Sequence, residues 1–333
     1  MKSFVVEKYA KQGAVRQVDR PEPDVAPDAV LVQVQAAGVN PLDSKIAAGE
    51  FKLILPYKPP FVLGHDVAGT VTRVGSAVTS FSPGDAVYAR PRDFAIGTFA
   101  ERVAVKAEDL ALAPSSISVE EAASLPLVAL TAWQALVERG KVTAGHKVLV
   151  HAGSGGFGTI AIQLAKHLGA TVAATTSTAN VELVRSLGAD VVVDYRTEDF
   201  TEVLSDYDLV IDPLGADSVL RSLTVLRPGG LVVGLGGPPD PEFTANIGAN
   251  PVVRVATRAL SRKVRATARR LGVRYSFLLM RANGAQLAEI ARLVDDGAIR
   301  PVVDRTFGFD QTLEALAYVD TGRAKGKVVV SMS

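Results

Sequence analysis

Three glycines in the run His151-Ala152-Gly153-Ser154-Gly155-Gly156-Phe157-Gly158 carry the spacing of this chain that most directly implies chemistry. His146–Val150 (HKVLV) before them is short and apolar, and Thr159–Gly169 after them (TIAIQLAKHLG) is apolar at helical spacing and closed by glycine. A strand that turns through glycines into a helix gathers backbone N–H groups and the positive end of the helix dipole where a pyrophosphate can sit. In the spacing Gly153-x-Gly155-x-x-Gly158 the first glycine makes the turn, the second admits phosphate to the backbone, and the third lets helix pack on strand. Residues Gly153, Ser154, Gly155, Gly156, Phe157 and Gly158 are therefore expected to hold a dinucleotide. The plain alternative is a glycine-rich turn without a ligand.

The elements that would position this loop favour the dinucleotide. Thr171–Thr176 and Val191–Asp194 read as strands with a helix over Asn180–Leu187 between them, and Asp208–Asp212 and Leu231–Gly234 repeat the alternation. Five strands separated by helical segments predict an α/β fold with a Rossmann doubly wound parallel sheet. NAD-selective sites usually place an acid about 20 residues beyond the loop, against the ribose 2′-OH. Here that place reads Thr175-Thr176-Ser177-Thr178-Ala179-Asn180, without a carboxylate. Thr176, Ser177 and Asn180 can donate to a 2′-phosphate, and Tyr195 with Arg196 can add a phenol and a cation. The expected cofactor is NADPH. The same residues also suit the capping of the helix near Asn180.

Length and composition bound the remainder. At 333 residues two domains are expected. With 36 basic and 35 acidic residues the net charge is +1, so the whole-chain charge makes no case for nucleic acid or an anionic membrane. Apolar runs are too interrupted to span a bilayer, the N-terminus MKSFVVEKYA lacks a signal-peptide pattern, and cysteine is absent, which rules out disulfides and thiolate-ligated metal. A cytoplasmic protein is expected. Ala29–Val39 and Val67–Val74 alternate like strands, and Ser82-Pro83-Gly84-Asp85 is a turn before Ala86-Val87-Tyr88, so the N-terminal part reads as β-rich. Ser118–Arg139 is helix-like, as are Asn283–Asp296 and Asp310–Asp320, and Lys327–Met332 reads as a terminal strand. Arg254–Arg274 holds eight cations and no acid, much of it helical; it reads as a solvated helix face, with an oligomer contact or an anionic cofactor as alternatives.

Further motifs carry a resemblance. Gly38-Val39-Asn40-Pro41-Leu42-Asp43, Leu63-Gly64-His65-Asp66-Val67-Ala68-Gly69, Val74-Gly75 with Pro83-Gly84-Asp85-Ala86-Val87, Leu125-Pro126-Leu127 with Thr131-Ala132, and Gly326-Lys327-Val328-Val329 together resemble the medium-chain dehydrogenase/reductase superfamily. Within it the chain is similar to the zinc-independent quinone oxidoreductases, and nearest the alkenal and enone reductases. The resemblance spans nearly the whole length. It implies a GroES-like β-rich catalytic domain formed by residues 1–121 and 284–333, a Rossmann domain over 122–283, and NADPH in a cleft between them. Zinc-dependent relatives use a Cys, a His and a further ligand. Here His65 stands alone, with Asn40 in place of the Cys and no four-cysteine lobe, so no metal is expected. Leu42 occupies the position of the proton-relaying Ser or Thr of alcohol dehydrogenases, which removes alcohol oxidation.

The resemblance thus implies hydride transfer from NADPH to a small electrophilic acceptor, a quinone or an α,β-unsaturated carbonyl. The nicotinamide is expected near Leu235 and Gly236, with the Thr131 hydroxyl beside it and Lys327 toward the pyrophosphate. Asn40 is expected to donate its amide to the substrate oxygen, and Lys45 or Tyr57 to supply the proton, with water as a further source. A homodimer is expected, with no nucleic acid and no membrane among its partners. An enoyl-thioester reductase and a non-enzymatic NADPH-binding protein of the same fold remain as alternatives.

Overall fold

In a computed structural model, which describes residues 1–11, 13–52 and 54–332, the chain forms two compact units, residues 1–130 with 281–333, and residues 131–280. The sequence placed the divisions at 121/122 and 283/284. The first division falls later because the helix Val119–Ala123 packs on strands of the first unit. Strands are numbered in chain order.

The first unit is the β-rich one. A seven-stranded sheet joins β3 (Ala29–Val39), β5 (Val67–Val74), β6 (Ala86–Ala89), β7 (Arg102–Lys106), β8 (Leu110–Leu112), β15 (Val303–Gly308) and β16 (Lys327–Ser331) in the order β15-β16-β3-β5-β6-β8, with β7 also on β3. A smaller sheet, β2-β1-β4, is built from β1 (Lys2–Val6), β2 (Val15–Asp19) and β4 (Phe61–Val62). Strand β16 lies antiparallel to β3 with Val328 opposite Val39, so the end of the chain completes the domain that the beginning starts. All five residues of β16 are buried.

The second unit carries a six-stranded sheet, β11-β10-β9-β12-β13-β14, every pairing parallel. Its strands are β9 (Lys147–Val150), β10 (Thr171–Thr176), β11 (Val191–Asp194), β12 (Tyr207–Asp212), β13 (Leu226–Gly234) and β14 (Arg274–Phe277). The central strands β9, β10 and β12 are nearly continuous runs of buried residues, as expected where helices cover both faces of a parallel sheet. One core cluster joins Leu149, Ala173, Val210 and Val232 of the sheet to Val264 and Ala268 of the helix Arg262–Leu271. The sheet is thus the expected doubly wound one with one strand more than the five read from sequence. Strand β14 is four residues long and follows Gly272, which ends the arginine-rich helix at φ +67°, so no alternating apolar pattern marks it.

The helical run Ser118–Arg139 is divided. Ser118 caps Val119–Ala123 in a reciprocal box with Glu121, and a second helix, Pro126–Trp133, starts at a proline and passes into a π-helical segment, Gln134–Arg139. Among the described residues no helix is long and apolar enough to cross a membrane.

Close strand approach sets one requirement in the large sheet. Gly69 of β5 pairs with Val34 of β3, and a Cβ at Gly69 would overlap the Gln33 carbonyl oxygen. Gly69→Ala should therefore lower the unfolding free energy by about 1–3 kcal/mol, read from the midpoint of urea denaturation.

Candidate active site

In the second unit the loop after β9 is held from both sides. The Gly153 N–H donates to the Thr175 carbonyl at 2.8 Å, tying the loop to β10, and Ala152 adopts a left-handed φ of +54° that turns the chain. The helix Gly156–His167 then begins, with Gly155 as its N-cap. Its three glycines have different reasons. A Cβ at Gly158 would overlap the Ala152 carbonyl oxygen and lie 2.6 Å from the Gly153 Cα, so helix and loop meet only without a side chain there. A Cβ at Gly153 would press on Ala174, Ile162 and Val184 at 3.0–3.4 Å. At Gly155 nothing comes closer than 3.4 Å. No protein contact demands a glycine at Gly155; the open side of its backbone suits a phosphate.

Beside the loop, the residues expected to select the cofactor come together. Thr176 Oγ1 donates to Ser154 Oγ at 3.0 Å, and Asn180 Nδ2 donates to Ser154 Oγ at 3.1 Å and Ser177 Oγ at 3.2 Å. The Asn180 Oδ1 is buried without a protein partner. Tyr195 is exposed, and its N–H donates to the Thr176 carbonyl at 3.1 Å. Asp194, which the sequence analysis overlooked, ends β11 in register with Thr176. Its carboxylate accepts from the Thr178 hydroxyl at 2.5 Å and the Arg196 N–H at 3.0 Å, and the Thr178 bond holds its pKa below the usual range. Leu235 follows β13 and donates its N–H to the Asp212 carbonyl at 2.8 Å, with the more exposed Gly236 next.

Beneath the loop runs a second network. The His151 nitrogens lie 3.0 Å from Thr175 Oγ1 and 3.0 Å from Ser222 Oγ, and Asp212 accepts from Ser222, Ser218 and the Leu214 N–H. Burial depresses the His151 pKa against the opposing pull of Asp212, so the ring is neutral at pH 7. This chain ties β9, β10 and β12 to the helix Ala216–Ser222 at the strand ends that carry the loop.

In the first unit a buried polar cluster collects the motif residues. The Asn40 amide nitrogen donates to Asp66 Oδ2 at 2.9 Å and to the Gly38 carbonyl at 3.4 Å, and Asn40 Oδ1 accepts from the Lys327 ammonium at 2.5 Å. Lys327 Nζ also donates to Asp66 Oδ2 at 3.2 Å and the Val39 carbonyl at 3.2 Å. Asp66 Oδ1 accepts from the Leu127 N–H at 2.7 Å. Asn40 is thus directed to protein acceptors instead of offering a free amide, and the ammonium of Lys327 is spent on Asn40 and Asp66 instead of facing outward to a pyrophosphate. Asp43 accepts from the Asn40 N–H at 2.8 Å and holds His65 Nδ1 at 2.6 Å, leaving His65 Nε2 buried without a protein partner.

The two expected proton donors differ sharply. Lys45 lies exposed on the helix Pro41–Ala47. Tyr57 is buried between Phe61 and Phe94, ring centroids 5.0 Å away in each case. Its hydroxyl accepts the Phe94 N–H at 3.2 Å and lies 3.5 Å from Asp93 Oδ1, which in turn accepts from the buried Arg90 at 2.5 Å. Burial and Asp93 push the phenol pKa far up, so Tyr57 stays protonated. Phe94 is exposed and left-handed at φ +67°, a strained conformation of the kind kept where function needs it. Arg90 and Asp93 escaped the sequence analysis because Arg90-Pro91-Arg92-Asp93 reads as a charged surface turn. Thr131 is buried on the helix Pro126–Trp133.

The chain is similar to known proteins over most of its length. Residues 26–115 match the alcohol dehydrogenase GroES-like domain, and residues 187–330 match the zinc-binding dehydrogenase family. The chain is 36% identical to 2-methylene-furan-3-one reductase of Solanum lycopersicum over 92% of its own length and 73% of that protein's. It is 38% identical to the chloroplastic NADPH-dependent alkenal/one oxidoreductase of Arabidopsis thaliana, with the same coverage. The structure of the quinone oxidoreductase from Coxiella burnetii superposes with a TM-score of 0.86 at 30% identity, covering 100% of this chain and 99% of the other. The described residues do not supply the donor set that the word zinc would require. Among the described residues no group of three His, Cys, Asp or Glu side chains could hold a metal ion, and His65 Nδ1 is taken by the Asp43 carboxylate.

The two glycines separate fold from ligand. Gly155→Ala should leave the unfolding midpoint nearly unchanged while weakening dinucleotide binding at least tenfold, whereas Gly158→Ala should lower stability by about 1–3 kcal/mol; thermal unfolding and quenching of nucleotide fluorescence read the two effects separately. Lys327→Met, which leaves the Asp66 carboxylate buried without its cation, should cost about 3–5 kcal/mol in urea unfolding.

Proposed function

Because the chain belongs to the quinone and alkenal reductase branch of the medium-chain dehydrogenase/reductase superfamily, a group of nicotinamide-dependent reductases, we propose that it reduces a quinone or an α,β-unsaturated carbonyl with NADPH and without zinc. The observation that carries the cofactor choice is the cluster of Ser154, Thr176, Ser177 and Asn180, hydroxyls and an amide at the end of β10 where a carboxylate would select NADH. Gly153–Gly158 would cradle the pyrophosphate, Tyr195 would stand beside the 2′-phosphate, and Thr131, Leu235 and Gly236 would border the nicotinamide. Bound there, the dinucleotide supplies a hydride.

The chain's own groups then have to serve an acceptor that is already electrophilic. Hydride arriving at the β-carbon of an enone breaks the C=C π bond and moves its electron pair onto the carbonyl oxygen as an enolate, which must take a proton at the α-carbon. Tyr57 suits that step, since its phenol is protonated and its hydroxyl is aligned by the Phe94 N–H and by the Arg90–Asp93 pair. Lys45, solvated on its helix, has no comparable alignment. Asn40 and Lys327 are bonded to each other and to Asp66 in the buried cluster, and Asp43 holds His65. No step needs a Lewis acid at His65, because a conjugated carbonyl or a quinone accepts hydride without one.

The reading is tested by oxidation of NADPH and of NADH against quinones, 2-alkenals, enones and enoyl thioesters, with EDTA present. It expects turnover of free quinones or enones with NADPH that EDTA leaves unchanged. Loss of activity in EDTA, or activity confined to thioesters, sinks it. Asn180→Asp should reduce the NADPH over NADH preference in kcat/KM at least tenfold, since it sets a carboxylate against the 2′-phosphate.

A further inference from the structure

The helices Pro251–Leu260 and Arg262–Leu271 carry a surface that the nucleotide site does not use. In Pro251–Leu260 eight of the ten residues are exposed, only Thr257 is buried, and Val253 is partly covered. Val252, Val255 and Leu260, 78%, 70% and 67% exposed, are the three most exposed large apolar side chains among the described residues, and all three lie on this one helix. At about 100° per residue, Val252, Val255, Ala256 and Ala259 share one side of the helix, Leu260 adjoins it, Arg258 lies on the flank, and Arg254 lies nearly opposite. A helix this short has little stability of its own, and burying an apolar side of it is what ordinarily holds such a helix in place.

The charge on these two helices is of one sign. Arg254, Arg258, Arg262, Lys263, Arg269 and Arg270 are exposed, and none forms an ion pair among the described residues. No Asp or Glu occurs between Glu242 and Glu289, and Glu242 is itself held by Arg139 at 2.9 Å. The whole-chain charge of +1 conceals this segregation.

We propose that this face docks on an anionic lipid surface, with Val252, Val255 and Leu260 entering the boundary between headgroups and acyl chains and the arginines seated among the lipid phosphates. The alternatives use only half of the surface. An isologous contact with a second copy would bury the apolar side chains but would bring an acid-free basic segment against itself. A nucleic-acid backbone would take the cations but gives three aliphatic side chains nothing to bury against, and neither helix holds an aromatic residue for base stacking. A bilayer interface satisfies both sets at once.

Sedimentation of the full chain with vesicles tests the proposal. The protein should pellet with phosphatidylcholine vesicles that contain phosphatidylserine, not with phosphatidylcholine alone, and the bound fraction should fall as NaCl screens the charge. Each cation near such a surface is worth about fivefold, so Arg258→Glu with Arg262→Glu should weaken binding by at least tenfold. Val252→Ser with Val255→Ser and Leu260→Ser should weaken it comparably. Both variants should keep the parent's NADPH oxidation in solution, which shows that they fold. The proposal fails if the parent ignores anionic vesicles, binds neutral ones equally, or is unaffected by either set of changes. It fails equally if RNA binds more tightly than the vesicles, or if the serine variant dissociates an oligomer present in the parent.

Discussion

A carboxylate taken out of water holds the first unit together. Asp66 has no exposure to solvent and accepts from three separate parts of the chain: the Leu127 N–H at the start of a helix, the Asn40 amide after β3, and the Lys327 ammonium on β16. An uncompensated charge at that depth would cost several kcal/mol, so these segments are constrained to meet around it. The return of residues 281–333 to the domain that residues 1–130 begin follows from this requirement as much as from the pairing of β16 with β3. Gly38 marks how tightly the parts converge, since a Cβ there would lie 2.5 Å from the Ala123 carbonyl oxygen and 2.9 Å from Asp66 Oδ2.

That convergence also explains why two motif residues have partners other than those the resemblance implied. Asn40 and Lys327 are polar residues in motifs of a reductase family, and from sequence each is naturally assigned to a ligand. Which partner a side chain meets depends on elements nearly 290 positions apart, and no local pattern reports that the Lys327 ammonium lies 2.5 Å from Asn40 Oδ1. Local features were far more legible. The strand–glycine–helix unit around Gly153–Gly158 and the strands Ala29–Val39, Val67–Val74, Thr171–Thr176 and Val191–Asp194 lie where periodicity and turn residues put them. Strand β14 was illegible because four residues after a basic helix carry no alternation, and it takes its place only by pairing with β13. Arg90 and Asp93 stayed hidden for a related reason: a charged turn and an ion pair made by a buried arginine have the same composition.

His65 is held through one of its two ring nitrogens. Asp43 fixes its Nδ1, the arrangement by which a carboxylate orients a metal-binding imidazole, while Asn40 and Asp66 are engaged with Lys327 and the Leu127 N–H. A dication beside Lys327 would repel it, and Lys327 already neutralises Asp66, so the cation of the network is supplied by the chain itself.

Cofactor selection, finally, is a property of two neighbouring strands and not of one position. The end of β10 lacks the acid that would choose NADH, but the parallel register sets Asp194 of β11 directly beside Thr176. The Thr178 hydroxyl and the Arg196 N–H hold that carboxylate ionised and turn both of its oxygens to protein donors. A carboxylate whose lone pairs are engaged competes less for a ribose hydroxyl than a free one, yet it still contributes negative potential against a 2′-phosphate. The preference proposed for NADPH therefore depends on Asn180, the serine and threonine hydroxyls and the exposed Tyr195–Arg196 pair outweighing Asp194, an electrostatic balance that inspection of the single position after β10 leaves out.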